Sequence, residues 1–248
     1  MILRDYHVHT TYCDGKNTAR EMVLSAIEKG VSELGFSGHG YTPHDESYCM
    51  KRDDVEKYVA EIKALKEEFR DRISIRLGVE QDYYGEETPW AEYKIGSVHY
   101  IKLGDEYVDT DDSAETLIDA ANRYFDGDIM CVCERYFELV GDVFEKTKCD
   151  IIGHFDLITK FNEKTPFIDT ENPRYISAWK RAIDKLIPAG VPFEVNLGAI
   201  SRGYRTSPYP SKAQRQYIKE KGGKLLLTSD CHNKNDICRD FDKWEGTT

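Results

Sequence analysis

The alternation of two kinds of segment along the chain is the feature that most constrains its fold. Short apolar runs typical of buried strands are separated by longer segments whose apolar residues recur three and four positions apart, as on one face of a helix. Such alternation favours a parallel sheet covered by helices. The predicted strands cover residues 2–8, 34–37, 73–79, 95–98, 150–153, 192–195 and 224–228. The predicted helices cover residues 18–30, 53–70, 114–125, 128–147, 173–187 and 211–221.

About seven strand–helix units in 248 residues suit one α/β domain that spans residues 1–248. A closed or distorted barrel commonly has this length, and the carboxyl ends of its parallel strands share one face. An open doubly wound sheet is the alternative. The polar tail after His232 is short for the helix that would close a barrel, and residues 104–116 form an acidic excursion from the alternation.

The charge and cysteine content exclude several function classes. A net charge of -11 argues against nucleic-acid binding, which needs a basic face. It also disfavours phosphorylated substrates unless bound cations reverse the local sign. We expect no membrane partner, because the chain has no run of about 18 apolar residues and its first residues lack the apolar core of a secretory signal. The seven irregularly spaced cysteines indicate reduced thiols, so we expect a cytoplasmic protein.

Six of the seven histidines follow predicted strands. A single histidine at a strand end is more often a hydrogen-bonding or core residue, but six in one chain favour a metal site. Two carboxylates, in the segments GVEQD and TSDCH, occupy equivalent positions. His44 follows Pro43 in a loop, so we expect it to lie outside the site. The candidate ligands are therefore His7, His9, His39, Glu80, His99, His154, Asp230 and His232.

The positions of these residues predict how they bind metal. His7 and His9 lie two apart on a strand, so both point to the same side and can bind one ion. Imidazole with carboxylate suits zinc, iron or manganese. About eight ligands are too many for one ion, so we expect two or three divalent ions, with a carboxylate such as Glu80 bridging. Ions held close together can activate water and hold the attacking and leaving oxygens of an in-line displacement, the chemistry of phosphoester hydrolysis.

Seven motifs follow one another through nearly the whole chain: DYHVHTTYCDGKNT, GFSGHGYTP, GVEQDYY, KIGSVHYI, DIIGHFDLI, NLGAISRGYRTSPYPS and LLLTSDCH. This ordered series resembles the PHP (polymerase and histidinol phosphatase) superfamily, and most closely its histidinol-phosphatase branch. The resemblance implies a single-domain distorted (β/α)7 barrel with a three-ion metal site at the C-terminal ends of the strands.

The same resemblance assigns the ligands. It places one ion between His7, His9, Glu80 and Asp230, a second between Glu80, His99 and His154, and a third at His39 and His232. Many members have a further histidine shortly after the HxH motif. Here Asp14 is the expected substitute, because a carboxylate can replace an imidazole at a hard-metal site. The alternative interpretation of Asp14 is a turn residue before Gly15.

A phosphate group bound at the metals also needs cationic partners. The segment SRGYR follows the predicted strand that leads to Asn196, which places Arg202 and Arg205 on the same face. Each guanidinium presents a fork that matches phosphate oxygens. We expect Arg202, and after it Arg205, to bind phosphate. A surface arginine in a salt bridge is the alternative for each.

The resemblance implies a phosphatase that hydrolyses L-histidinol phosphate, a small phosphomonoester, in histidine biosynthesis. Arg202 would stabilise charge on the phosphoryl oxygens. Asp230 or His232 would pass a proton to the leaving alkoxide, with a metal-bound water as the alternative acid. Acids in residues 41–54 and 80–92 are candidates for binding the substrate's ammonium and imidazole. The alternatives are a PHP phosphoesterase acting on another phosphomonoester or on nucleic-acid 3' ends and, less favoured, a non-catalytic metal-binding module.

Overall fold

The computed structural model describes residues 3–247, and its centre is a seven-stranded parallel sheet. An antiparallel hairpin of two short strands lies outside this sheet. In chain order the strands are β1 (Leu3–Asp5), β2 (Val31–Phe36), β3 (Ser74–Asp82), β4 (Tyr93–Ser97), β5 (Tyr100–Leu103), β6 (Glu106–Asp109), β7 (Ile151–Ile152), β8 (Phe193–Asn196) and β9 (Leu225–Thr228). All seven predicted strands are present with shifted ends. Ile2, where the first was predicted to begin, lies outside the described residues.

The sheet has the order β1-β2-β3-β4-β7-β8-β9, without the reversal that defines a doubly wound sheet. Its two outer strands meet just beyond their carboxyl ends, where Val8 and Cys231 form one parallel bridge. The amide of His9 donates to the carbonyl of Cys231 (3.0 Å), and the amide of Cys231 donates to the carbonyl of His7 (3.2 Å). The ring therefore closes through a single bridge instead of a continuous ladder, as expected of a distorted barrel.

Helices connect most of the strands and cover the outside of the sheet. In chain order they are α1 (Ala19–Glu28), α2 (Val55–Glu68), α3 (Ala114–Phe125), α4 (Ile129–Thr147), α5 (Pro173–Leu186), α6 (Gly198–Ser201), α7 (Lys212–Glu220) and α8 (Phe241–Trp244). The six predicted helices are confirmed. The two helices of four residues, α6 and α8, were not predicted.

Local sequence determines where several helices begin. Thr18 and Glu21 form a capping box at the start of α1. Ser211 and its third following residue form a second capping box at the start of α7. Pro173 occupies the first turn of α5. Backbone N–H groups in that turn have no acceptor within the helix, so a proline, which lacks an N–H, costs no hydrogen bond there. The helices therefore start at positions that the sequence itself specifies.

The acidic segment 104–116 leaves the strand–helix alternation as expected, but it does so through the β5–β6 hairpin, which was not predicted. The hairpin turn contains Gly104, whose φ of 59° favours glycine. Ile101 and Val108 pair across the two strands and are buried. Each strand has only four residues, which is too short for a clear alternation in a segment rich in acids.

Two apolar layers hold the helices against the sheet. One packs α1 and α2 on the first three strands and includes the fully buried Met22, Phe36 and Tyr58. The other packs α3, α4 and α5 on the remaining strands and includes Phe137 and Phe155. Each such side chain stabilises the fold by about 1.5–3 kcal/mol through removal of apolar surface from water. Among residues 3–247, no helix combines the length and the apolar character needed to cross a membrane.

Candidate metal centre

The histidines that follow the strands converge at the carboxyl ends of the sheet. Val8 shows why its two neighbours face the site: its own side chain is fully buried in the apolar layer with α1 and α2. Successive side chains on an extended segment alternate, so His7 and His9 point to the opposite face. Glu80 lies within β3, because this strand extends further than predicted, to Asp82.

Four ligand atoms form the first group: Nε2 of His7, Nε2 of His9, Oε2 of Glu80 and Oδ1 of Asp230. The His7 nitrogen lies 3.1 Å from the Glu80 oxygen and 3.6 Å from the Asp230 oxygen. The His9 nitrogen lies 3.5 Å and 3.4 Å from the same two oxygens. In a tetrahedral site with bonds of about 2.0–2.1 Å, ligand atoms lie about 3.3 Å apart. These four atoms therefore have the spacing that one ion requires.

The other carboxylate oxygen of Glu80, Oε1, faces the second group. It lies 2.8 Å from Nε2 of His154 and 3.3 Å from Nε2 of His99. Ser97 also donates its hydroxyl to this oxygen (2.6 Å). Oε2 faces His7, His9 and also Nδ1 of His39 (3.1 Å), whereas Oε1 faces His99 and His154, so this carboxylate can bridge two ions.

Asp14, His39 and His232 form the third group. One oxygen of Asp14 lies 3.0 Å from Nε2 of His232, and the other lies 3.7 Å from Nε2 of His39. Together with His9, these residues have ligand atoms close enough to share an ion. The Asp14 side chain is 35% exposed, whereas that of Glu80 is 1% exposed, so this group is the most open. The geometry supports Asp14 as the carboxylate that takes the place of an imidazole.

Buried acids behind the ligands orient the imidazole rings. Nδ1 of His7 donates to Glu194 in β8 (2.6 Å), and Nδ1 of His99 donates to Asp82 in β3 (3.2 Å). Each hydrogen bond leaves Nε2 of the ring free for a metal, and such outer partners commonly change metal affinity 10- to 100-fold. Neither acid was predicted from the sequence to support a ligand. Asp82 could have been found, because it lies two positions after Glu80 and therefore on the same side of β3.

The charges in the centre prepare the acids for cations. Burial opposes ionisation, but nearby His39, His7 and His99 hold the pKa of Glu80 well below its usual range. Burial also opposes ionisation of Asp230, but nearby positive charge, mainly that of Arg202, holds the pKa of this carboxyl well below normal. Burial lowers the pKa of His9 to about 4 and that of His39 to about 3. At neutral pH the carboxylates are charged and these two imidazoles are neutral, as metal ligands must be. Neighbouring acids, Glu194 at His7 and Glu80 at His99, outweigh burial and raise the pKa of both rings, so an ion bound there displaces their protons.

One unpaired atom supports a metal in the first group. Nε2 of His9 is buried and has no hydrogen-bond partner among the described residues. Leaving such an atom unsatisfied costs about 1–3 kcal/mol, and a bound cation removes that cost. Neutral imidazoles with buried carboxylates suit zinc, manganese or iron. The residues that converge here therefore fit two or three divalent ions.

The two arginines predicted to bind phosphate have different positions. Arg202 borders the centre: its guanidinium lies 3.2 Å from Oδ2 of Asp230 and 2.9 Å from Nδ1 of His232. Arg205 points away, donates to the hydroxyl of Thr159 (2.9 Å), and stacks on the ring of Tyr209 at 4.3 Å. The prediction of Arg205 as a phosphate ligand is therefore not supported, because its side chain lies in a neighbouring cavity of about 340 Å³.

A cavity of about 250 Å³ opens above the ligand groups. Arg202, Lys160 and Asp111 line it, and the sequence analysis missed the last two. Within the described chain, no acid of residues 41–54 reaches this cavity, and Glu80 is the only one of residues 80–92 that does. The expectation that acids in these loops bind the substrate stays a prediction, and Glu80 is the one of them that lines this cavity. His44 lies outside the cavity as expected, stacked on Tyr107 at 3.9 Å.

Comparison with known proteins gives consistent matches. The PHP domain family matches residues 5–198. The histidinol-phosphatase of Bacillus subtilis (strain 168) is 27% identical over 262 residues, which cover 96% of each chain. A structure from Listeria monocytogenes, provisionally identified as the histidinol phosphatase hisK, has a TM-score of 0.82 at 21% identity and covers 97% of this chain and 99% of its own. The histidinol phosphate phosphatase of Lactococcus lactis, complexed with zinc, L-histidinol and phosphate, has a TM-score of 0.74 at 20% identity, with coverage of 99% and 92%. At these identities the two structures establish a shared fold.

Proposed function

The chain belongs to the PHP domain family, and we propose that it is a phosphatase that hydrolyses L-histidinol phosphate to L-histidinol and phosphate in histidine biosynthesis. The observation that carries the proposal is the set of three ligand groups beneath a cavity lined by Lys160 and Arg202. The Bacillus subtilis relative, named a histidinol-phosphatase, matches over nearly the full length of both chains. The Lactococcus lactis structure of the same fold binds zinc, L-histidinol and phosphate.

We assign two or three divalent ions, zinc among them, to this centre. His7, His9, Glu80 and Asp230 would hold the first, Glu80, His99 and His154 the second, and Asp14, His39 and His232 the third. Bound divalent ions activate water and polarise phosphoryl oxygens. The ligands lie on or after strands all around the barrel, so the closed sheet fixes the distances between them.

The chain's own cations complete the phosphate site. Arg202 presents a guanidinium fork at the cavity, and Lys160 and Lys16 supply further positive charge there. These cations counter the net charge of -11, which would otherwise repel a phosphate dianion. In the transition state, Arg202 would stabilise charge on the phosphoryl oxygens.

Asp230 and His232 are the residues placed to carry a proton to the leaving alkoxide. Both line the cavity, next to the phosphate site proposed for Arg202. Oδ2 of Asp230 accepts a hydrogen bond from Asn196 (3.3 Å), which leaves Oδ1 directed at the first group. Of the two we assign the proton to His232, because the pKa of the Asp230 carboxyl is held well below its usual range and the group is charged at neutral pH.

We also propose that the protein works in the cytoplasm. Its seven cysteines are free thiols, which suits a reducing compartment. Amino-acid biosynthesis, the proposed role, uses small soluble metabolites.

A substrate comparison tests the proposed function. The zinc- or manganese-loaded protein should hydrolyse L-histidinol phosphate with a kcat/KM at least about 100-fold above that for p-nitrophenyl phosphate, because binding energy from the rest of the substrate is available only with the former. Equal values would mean that another phosphomonoester is the substrate. No metal-dependent turnover of either compound would indicate a non-catalytic module.

A further inference from the structure

The cavity above the ligand groups contains an ion pair between Lys160, which is buried, and Asp111, whose side chain is 34% exposed. Nζ of Lys160 lies 2.7 Å from Oδ1 of Asp111 and donates to the main-chain carbonyl of the same residue (3.0 Å). Lys160 is only 7% exposed, and the ring of Tyr204 covers its ammonium at 4.6 Å. All three residues line the cavity. Two oxygens of Asp111 thus already bind an ammonium group inside the proposed substrate site.

Asp111 is held firmly relative to the metal centre. The preceding residue, Thr110, is fully buried and donates both its amide (2.8 Å) and its hydroxyl (2.9 Å) to the carbonyl of His99. The amide of Asp111 donates to the carboxylate of Asp109 (2.6 Å). Because His99 belongs to the second ligand group, these bonds hold the main chain of Asp111 close to that group.

Lys160, although more buried than Asp111, has the longer and more flexible side chain of the pair. Its ammonium ends a flexible four-carbon stem and is not confined to one bonding geometry. The stem starts at the short turn that follows His154, so its base is also close to the second group. A phosphate dianion in the cavity offers this ammonium a partner with more charge than the Asp111 carboxylate has.

We propose that Asp111 selects phosphomonoesters that carry an ammonium group. This inference rests on the proposed function and names the residue that recognises the amino group of L-histidinol phosphate. The substrate ammonium replaces Nζ of Lys160 on the two Asp111 oxygens, and Lys160 turns to the phosphate oxygens. The ion pair of Asp111 with Lys160 is thus replaced by two ion pairs, one between Asp111 and the substrate ammonium and one between Lys160 and the phosphate. No charge is left unpaired. With an ester that lacks an amine, Lys160 can bind the phosphate only if the Asp111 carboxylate is left without a partner.

The test compares L-histidinol phosphate with the analogue that lacks only the amino group. In the wild-type holoenzyme, kcat/KM should be at least about tenfold higher for the amine-bearing ester, since a hydrogen-bonded charge pair is lost in the analogue. Asp111→Asn should lower the ratio of the two kcat/KM values by about 10- to 100-fold. Asp112→Asn is the matched control: it removes the same charge at the neighbouring, exposed position, and the ratio should not change.

Other results would overturn the inference. An equal loss for both esters in Asp111→Asn would mean that Asp111 only positions Lys160. A wild-type ratio near one would exclude selection by any residue, even if the variant does not fold. Lys160→Met should reduce kcat/KM for both esters by similar factors, and a loss confined to the amine-bearing ester would also contradict the exchange. Turnover of both esters no faster than p-nitrophenyl phosphate would instead show that the proposed function fails.

Discussion

Oε1 of Glu194 lies 2.6 Å from Nδ1 of His7, although 187 positions separate the two residues. Both side chains are fully buried, and Oε2 of the same carboxylate accepts the amide of His154 (2.9 Å). Glu194 therefore orients one ligand of the first group and the main chain of a ligand in the second. Glu194 can contact both ligands because it lies in β8, between them.

Replacement of this acid should weaken metal binding without removing a ligand. We expect Glu194→Gln to reduce metal affinity about 10- to 100-fold, because Nδ1 of His7 loses a charged acceptor. Competition with a fluorescent zinc chelator measures the affinity. Glu56→Gln, on the exposed side of α2, is the control with the same charge change. Equal affinities in the two variants would show that Glu194 has no role in orienting His7.

Metal removal should reduce both activity and stability. The ionised Glu80 and Asp230 carboxylates lie in a buried centre, and a cation that binds only the folded chain stabilises it in proportion to the logarithm of its concentration. We expect chelation to abolish turnover and lower Tm by at least about 5 °C, which corresponds to roughly 1–3 kcal/mol in a chain of this length. Added zinc should restore both. A Tm that is unaffected by chelation would contradict the centre described above.

The third ligand group predicts a specific change in metal stoichiometry. Asp14→Ala should remove one ion per chain and leave the others, because Asp14 lies near only His9, His39 and His232 among the ligands. Asp14→His should retain that ion, since an imidazole can replace the carboxylate. Mass spectrometry of the metals in purified protein gives the number of ions per chain. The same number in wild type and Asp14→Ala would show that Asp14 is a turn residue and not a ligand.

The convergence of the candidate ligands was predictable because a parallel barrel brings strand ends together. His7 and Asp230 are far apart in the sequence, yet each follows or ends an apolar run, and the closed sheet makes them neighbours. Residues whose positions depend on irregular segments could not be predicted in this way. Lys160 starts from a short turn and Asp111 from a hairpin too short to recognise, so only tertiary packing places them together.

The two arginines show the limit of inference from proximity in sequence. Arg202 and Arg205 are three positions apart, but Gly203 between them has a φ of 75°, which turns the chain sharply after α6. The turn directs Arg205 toward Asp156, 3.7 Å from its guanidinium, and away from Asp230. A left-handed glycine can be suspected from sequence, but the direction it gives the next side chain cannot.

These positions predict opposite effects for the two arginines. Arg202→Met should reduce kcat/KM about 100-fold or more with unchanged metal content, because a cation that contacts the phosphoryl oxygens is lost. Arg205→Met should instead lower the free energy of unfolding by about 3 kcal/mol, because the buried Asp156 loses its cation. Steady-state kinetics and urea unfolding separate the two. A larger kinetic defect in the Arg205 variant would reverse the assignment of the phosphate ligand.

Asp109 gives a prediction about pH and stability. Burial raises the pKa of its carboxyl from 3.8 to about 6, although the amide of Asp111 donates to it. A raised pKa in the folded state means that the stabilising contribution is complete below about pH 4 and is lost as the pH rises through about 6. Asp109→Asn cannot ionise and keeps an oxygen to accept the same amide. It should therefore be more stable than wild type at pH 8, by about 1–2 kcal/mol after allowance for partial exposure.

At pH 4 the Asp109 carboxyl of the wild-type chain is protonated, so the stability advantage of Asp109→Asn should disappear there. Urea unfolding of both proteins at the two pH values measures this difference. Because the two proteins are compared at the same pH, the titration of the metal ligands contributes equally to both and cancels in the difference. A neutral residue at position 109 removes only the desolvation of one charge, since the hydrogen bond to Asp111 remains. An advantage of equal size at both pH values, or a variant less stable at pH 8, would show that the Asp109 carboxylate is not destabilised by burial.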